Sequence, residues 1–158
     1  MSDTPTPPSA IKVVQVMVSA TPYARALGFE VSAVGESRVT MRTPYRADLI
    51  GDPETGVIAG GVITALLDHV AGAAVMTALQ ERQSIATLDL RIDYLRAAEP
   101  GRDIFAEAHC YKVARSVAFV RAVAFEDSPG NPVANATAAF MIASDGGRKM
   151  GANTRPPR

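Results

Sequence analysis

The run Gly56-Val57-Ile58-Ala59-Gly60-Gly61-Val62-Ile63-Thr64-Ala65-Leu66-Leu67-Asp68 opens a helix on a glycine pair and carries one carboxylate in an otherwise apolar stretch. An ionised Asp is costly to bury unless something uses it. The Gly60-Gly61 pair leaves backbone N–H groups uncovered at a helix N-terminus, where unpaired donors and the helix dipole favour negative charge such as a developing oxyanion. Donor and carboxylate together suggest acyl-group chemistry. Both also have plainer readings. Asp68 could be a structural carboxylate hydrogen-bonded to a turn, and the glycines could serve only close helix–sheet packing or a turn with positive φ.

Other reactive side chains assemble less well. His69 follows Asp68 directly, but adjacent helix residues point about 100° apart, so a packed or interface histidine is the expectation. His109 alternates with Phe105, Glu107 and Tyr111 on one strand face, and Cys110 shares the opposite face with Ile104, Ala106 and Ala108 as a small buried hydrophobe. One Cys and two separated His residues offer no metal-ligand set with standard spacing. There is no Gly-x-Ser-x-Gly elbow and no phosphate loop.

The elements that must position Gly60 and Asp68 follow from periodicity. Ser2 to Pro8 reads as part of a disordered lead-in over 1–10, and the basic, Gly- and Pro-bearing stretch 144–158 reads as a mobile tail, leaving one domain over 11–143. Ile11–Ala20 fits a short helix or a strand. Pro22 to Gly28 reads as a Pro-started helical turn closed by glycine, Phe29–Thr43 as a hairpin turning at Gly35-Glu36, and Tyr45–Thr55 as a polar loop. Val62 to about Gln80 is a helix rich in Ala, Leu and Met. After it the period switches to 2, and Ser84–Tyr94, Asp103–Val113, Val117–Asp127 and Pro132–Ala143 read as four strands of an antiparallel meander. A helix too apolar for the surface must be wrapped by that sheet, which is the α+β hotdog arrangement.

Composition narrows the partners. Hydrophobic residues make up 47% and charged residues 20%, the balance of a folded protein. Sixteen basic and sixteen acidic residues cancel, so wholesale binding of nucleic acid or an anionic membrane is not expected. A lone cysteine suits a reducing compartment. With no basic-then-apolar leader in Met1 to Pro8 and no run read as approaching the roughly 18 apolar residues of a membrane span, the expected location is the cytoplasm.

From about Pro22 to Ala143 the chain resembles the phenylacetate-degradation-type acyl-CoA thioesterases of the hotdog superfamily. The resemblance is carried by Leu27-Gly28, by Gly56 through Asp68, by Thr87-Leu88-Asp89-Leu90-Arg91-Ile92-Asp93-Tyr94-Leu95-Arg96, and by Val133-Ala134-Asn135-Ala136. It implies thioester hydrolysis without metal or cofactor, an acyl-CoA substrate, and paired sites at a subunit interface. Position by position, it puts the general base or nucleophile on Asp68, the oxyanion donor on the N–H of Gly60, and an assisting hydroxyl on Thr87. Ala59 stands where the family commonly has His, and Pro53 or a neighbour stands where some members have a water-orienting Asn.

Spacing adds an argument of its own. Asp68 lies eight residues after Gly60, about 12 Å along a helix at roughly 1.5 Å per residue. One thioester carbon cannot be close to both in the same chain, so a working site takes Gly60 from one subunit and Asp68 from another, as an isologous dimer or dimer of dimers allows. Gly61 would help bind substrate. Among candidate cations for the coenzyme A phosphates (Arg91, Arg96, Lys112, Arg115 and Arg121), Arg96 and Arg115 stand in or beside turns that a flexible ligand reaches. Ala59 keeps open a non-catalytic acyl-CoA-binding protein; a hydratase is disfavoured because Asp68 and His69 do not converge from one helix.

Overall fold

The computed structural model describes residues 8–143 of the 158; the rest of the expected lead-in and the tail with Arg148, Lys149, Arg155 and Arg158 lie outside the described residues. In chain order the elements are α1 (Pro8–Ser19), α2 (Pro22–Leu27), β1 (Glu30–Gly35), β2 (Arg38–Thr43), a 3-10 turn (Ala47–Leu49), β3 (Ile50–Asp52), β4 (Val57–Ile58), α3 (Gly60–Ala78), β5 (Ile85–Tyr94), β6 (Ile104–Val113), β7 (Val117–Phe125) and β8 (Ala134–Ile142). The first segment is a helix because Val14 and Val18, four apart, are buried on one face. It begins at Pro8, inside the stretch read as lead-in. Its Gln15 amide accepts from the Val31 N–H and donates to the Phe29 carbonyl, so α1 covers the edge of β1.

The helix α3 is wrapped by an antiparallel sheet of six strands in the order β1-β2-β6-β7-β8-β5. Large side chains come from the helix, with Leu66, Leu67, Val70 and Val75 fully buried. The strands beneath answer with small ones: Ala106 and Ala108 on β6, Ala118, Ala122 and Ala124 on β7, and Ala134, Ala136 and Ala138 on β8 are all buried. This alternation lets the helix lie close to the sheet at interior packing density. By length and mean hydropathy, 1.5 over 19 residues, α3 could cross a membrane. The sequence reading that no run came near such a span is therefore corrected. Within the described residues α3 is the core helix.

Two further expectations are revised. The last four strands are not a simple meander: β5 pairs with β8 at the sheet's far edge, so the connection from β5 to β6 passes over β7 and β8. The stretch Tyr45–Thr55 is not a plain loop but holds the 3-10 turn and β3, which pairs with β4. Asp52 organises its turn by accepting from the Glu54 N–H and the Thr55 hydroxyl.

The long crossover after β5 is held by Arg96. Its guanidinium donates to both oxygens of Glu126 and to the carbonyls of Ala97 and Asn131, while Glu126 also accepts from the Glu99 N–H. Burial alone would push the Glu126 carboxyl up, but the Arg96 and Glu99 hydrogen bonds and the Arg96 charge hold it below the usual carboxylate range. Replacing Glu126 by Ala strands a half-buried guanidinium. The expected cost is about 3 kcal/mol, the low end for breaking a buried pair because Arg96 keeps some solvent contact, or a fall in Tm of roughly 6–12 °C. Because the folded-state pKa of Glu126 is depressed, its contribution is present above the unfolded value of about 4.3 and is lost as pH falls through the folded value. Thermal scans of wild type and Glu126→Ala should show a gap that narrows in acid; a gap of the same width at every pH would contradict the assignment.

Candidate active site

Asp68 lies halfway along α3 on the flank facing β5, and it is half-buried. The Thr87 hydroxyl donates to its Oδ1 at 3.0 Å. Strict alternation along the strand would put Thr87 on one face with Asp89, Arg91 and Asp93. A β-bulge between Thr87 and Asp89 separates them. The extra residue, Leu88, flips the phase: Ile85 and Thr87 face the helix before the bulge, and Leu90, Ile92 and Tyr94 face it afterwards. The bulge therefore aims a hydroxyl at the carboxylate while keeping the apolar residues that follow on the core side. Asp68, His69 and Thr87 form the polar part of a pocket of about 330 Å³ whose other walls include Val18, Ala73 and Phe140.

At the helix N-terminus, Ala59 is the N-cap residue and has no side-chain cap. The Gly60 and Gly61 N–H groups make no hydrogen bond among the described residues. Neither plain reading of this glycine pair survives. Neither residue has positive φ. A Cβ on Gly60 would sit 3.5 Å from the Tyr94 hydroxyl, an ordinary contact, and one on Gly61 would meet nothing within 4 Å. Glycine here weakens the first helical turn without an internal packing reason, and it leaves two backbone donors open to whatever approaches from outside the chain.

Tyr94 was missed in the sequence as a functional residue. Its hydroxyl donates to the Gly60 carbonyl at 2.7 Å and lies 2.8 Å from the Thr64 hydroxyl. It pins the peptide whose neighbouring N–H groups are free. The signal was present only as a Tyr at the end of a strand, and it faces the helix only once the bulge is counted. Strand β5 thus touches α3 through polar bonds at two places, Thr87 to Asp68 and Tyr94 to Gly60, and these are the two groups that the sequence singled out.

The remaining candidates divide. The structure gives Arg96 to the crossover: its two terminal nitrogens are taken by Glu126, Ala97 and Asn131, so the expectation that it meets coenzyme A phosphates is set aside. Arg115 is exposed in the β6–β7 turn and has no ion pair among the described residues. The Ile142 N–H donates to the Ser116 carbonyl and Ile142 pairs with Ile85, which sets this turn at the end of the sheet where β5 begins. His69 donates from Nδ1 to the Ala65 carbonyl at 2.9 Å and stands edge-on to Phe29; it is packed, as expected. Cys110 is buried, which pushes its thiol up. Among the described residues no three His, Cys, Asp or Glu side chains converge as a metal site.

Known proteins place the chain in a family. A family model described as the thioesterase superfamily matches residues 55–133, a stretch that holds the glycine pair, Asp68 and the strands from β5 to β7. Over 156 aligned residues the chain is 28% identical to the medium/long-chain acyl-CoA thioesterase YigI of Escherichia coli (strain K12), covering 90% of this chain and 99% of that protein. The crystal structure of a protein from Pseudomonas aeruginosa is similar with a TM-score of 0.76 at 40% identity, covering 83% of this chain and 97% of that one. A mutant of the phenylacetic acid degradation protein PaaI from Thermus thermophilus is similar with a TM-score of 0.67 at 26% identity, covering 77% and 98%. The helix that carries both the free donors and the carboxylate lies within the stretch the family match covers, and on that match this chain belongs to the thioesterase superfamily and is a thioester hydrolase.

Proposed function

We propose that the chain hydrolyses acyl-CoA thioesters at sites shared between two copies. The observation that carries this reading is the Thr87–Asp68 hydrogen bond at the polar end of an otherwise apolar pocket, with free donors on the same helix about 12 Å away along its axis. Asp68 takes a proton from water as the water oxygen attacks the thioester carbonyl, or attacks the carbonyl itself to give an anhydride that water then opens; either way the C–S bond breaks, and the sulfur leaves as the coenzyme A thiolate, which takes up a proton that in the first route Asp68 returns and in the second comes from water. Thr87 orients the carboxylate. The Gly60 N–H, with Gly61 beside it, stabilises the oxyanion. Arg115 is the candidate for the coenzyme A phosphates. The acyl-CoA substrate is taken from the relative YigI, whose name specifies medium and long chains.

The shared site follows from how the edges differ. Gln15 covers the β1 edge, whereas β5, ten residues long, ends the sheet on its other side with Leu88 exposed. An uncovered edge of that length invites a partner strand. Antiparallel pairing of β5 with its own copy about a two-fold axis through Arg91, with Leu88 of each copy bulged out as it is against β8, keeps Leu90 and Ile92 on the helix side and sets Thr87 of one copy opposite Tyr94 of the other. Because those residues hold Asp68 and Gly60 respectively, the same axis brings the carboxylate of one copy toward the free donors of the second. Phe119 and Met141 on the outer sheet face are exposed as well, which supports a further pairing into a dimer of dimers.

Ala59 supports the rival reading of a non-catalytic acyl-CoA binder, since it offers no side-chain donor beside Gly60. Asp68→Asn separates the two: it keeps volume and hydrogen bonding but accepts no proton, so kcat should fall at least roughly 100-fold with KM little changed. Mixing folded Asp68→Asn subunits with folded Gly60→Pro subunits should restore part of the thiol release. Wild type that binds acyl-CoA without releasing thiol would favour the binder, and an active Asp68→Asn would overturn the catalytic assignment.

Gly61→Ala tests the donor end. Because its Cβ meets open space, the variant should fold with a Tm equal to or above that of wild type, yet lose about tenfold or more in kcat/KM because the methyl occupies the approach to the N–H groups. Unchanged kinetics would remove Gly61 from the site.

A further inference from the structure

The pocket beside Asp68 does not end there. Val14, Met17, Met76 and Ile85 line both it and a larger groove of about 920 Å³, so the two adjoin with these four side chains between them. The combined channel runs between α1 and the C-terminal half of α3 and opens among Lys12, Arg82 and Ser84. Along α3, Asp68, Gly72 and Met76 follow at steps of four, so one helix face leads from the carboxylate to the open end. That distance is about 12 Å at roughly 1.5 Å per residue.

Gly72 is the unexplained residue on this path. It has no positive φ. A Cβ there would lie 3.5 Å from Phe140 and 3.8 Å from Ile85, both ordinary contacts. A glycine in the middle of a helix weakens it, and here neither backbone nor packing calls for one. Its effect is to keep the channel floor open one turn past Asp68. The roof is α1, which Gln15 ties to β1. Val16 of that helix also lines the larger groove and is 70% exposed, apolar surface left in water unless something covers it.

We infer that the channel is the acyl subsite, and that Gly72 on its floor and Met17 on its roof set the length of chain it admits. The occupant is an unbranched aliphatic chain on the order of ten carbons, its thioester end at Asp68 and its tail toward Gln80. Such a chain follows a helix face, and the larger part of the channel has no aromatic lining residue; an aryl acid would fill the 330 Å³ next to Asp68 and leave the rest empty. This assignment rests on the thioesterase reading, and its test distinguishes the two.

The probes are dodecyl-CoA and butyl-CoA, thioethers that cannot be hydrolysed, titrated by calorimetry against the full chain; thiol release from the matching thioesters is followed in parallel. Each methylene removed from water contributes about fourfold in affinity. Wild type should therefore bind dodecyl-CoA at least roughly 100-fold more tightly than butyl-CoA. Gly72→Leu, which fills the floor, and Met17→Trp, which lowers the roof, should each cut that ratio by about tenfold or more, and the ratio of kcat/KM for the two thioesters should fall with it. Using opposite walls keeps the test valid if one variant does not fold. A wild-type ratio near one, or folded variants that leave the ratio unchanged, would overturn the subsite. The expected binding ratios without any thiol release would uphold the subsite and refute the hydrolase.

Discussion

A helix of 19 residues with ten buried apolar positions can exist in water only if a sheet is wrapped around it, and most of this structure follows from that requirement. The helix brings Leu and Val to the contact; the strands beneath bring alanine. Because the interior is filled this way, polar chemistry is confined to where the wrapping stops, at the helix N-terminus and along the flank by β5. Gly60 and Asp68 occupy those two places. The catalytic candidates are thus the positions on the core helix that the core does not consume.

The flank is controlled by one irregularity. Without the bulge at Leu88, Thr87 and Tyr94, seven residues apart, would face opposite sides of the sheet, and only one of them could reach the helix. With it, both do, and β5 becomes a ruler carrying a contact to the Asp68 carboxylate at one end and to the Gly60 carbonyl, beside the free N–H donors, at the other. The opposite edge is closed by an amide of α1. A molecule with one sealed edge and one open edge offers its copy a single strand to pair with, and in the proposed dimer that pairing would join two half-sites too far apart to cooperate within a chain.

Much of this was legible beforehand, because it is written in local signals. The period change after Gln80 marked the fold, and the Gly60-Gly61 opening and the single carboxylate of an apolar run marked the two places on the core helix that strand β5 meets with polar bonds. What stayed hidden depends on nonlocal pairing. Nothing in Leu88 announces a bulge, so strict alternation sets Thr87 among the outward-facing Asp89, Arg91 and Asp93 and hides that Tyr94 faces the helix on the same side. Arg96 reads as a free cation beside a turn until Glu126, thirty residues on, is seen to claim it. The place of β5 at the far edge, and not beside β6, is likewise decided by β8. The channel under α1 exists only in three dimensions.

The central claim is that one acyl group is handled by Gly60 of one copy and Asp68 of another. It is tested most directly by a crystal structure with a ketone analogue of a long-chain acyl-CoA, in which a methylene inserted before the sulfur prevents cleavage and preserves the carbonyl. The account predicts the carbonyl oxygen about 2.7–3.1 Å from the Gly60 N–H of one subunit, its carbon facing the Asp68 carboxylate of the other. A carbonyl held by groups of a single chain, or away from both, would contradict it.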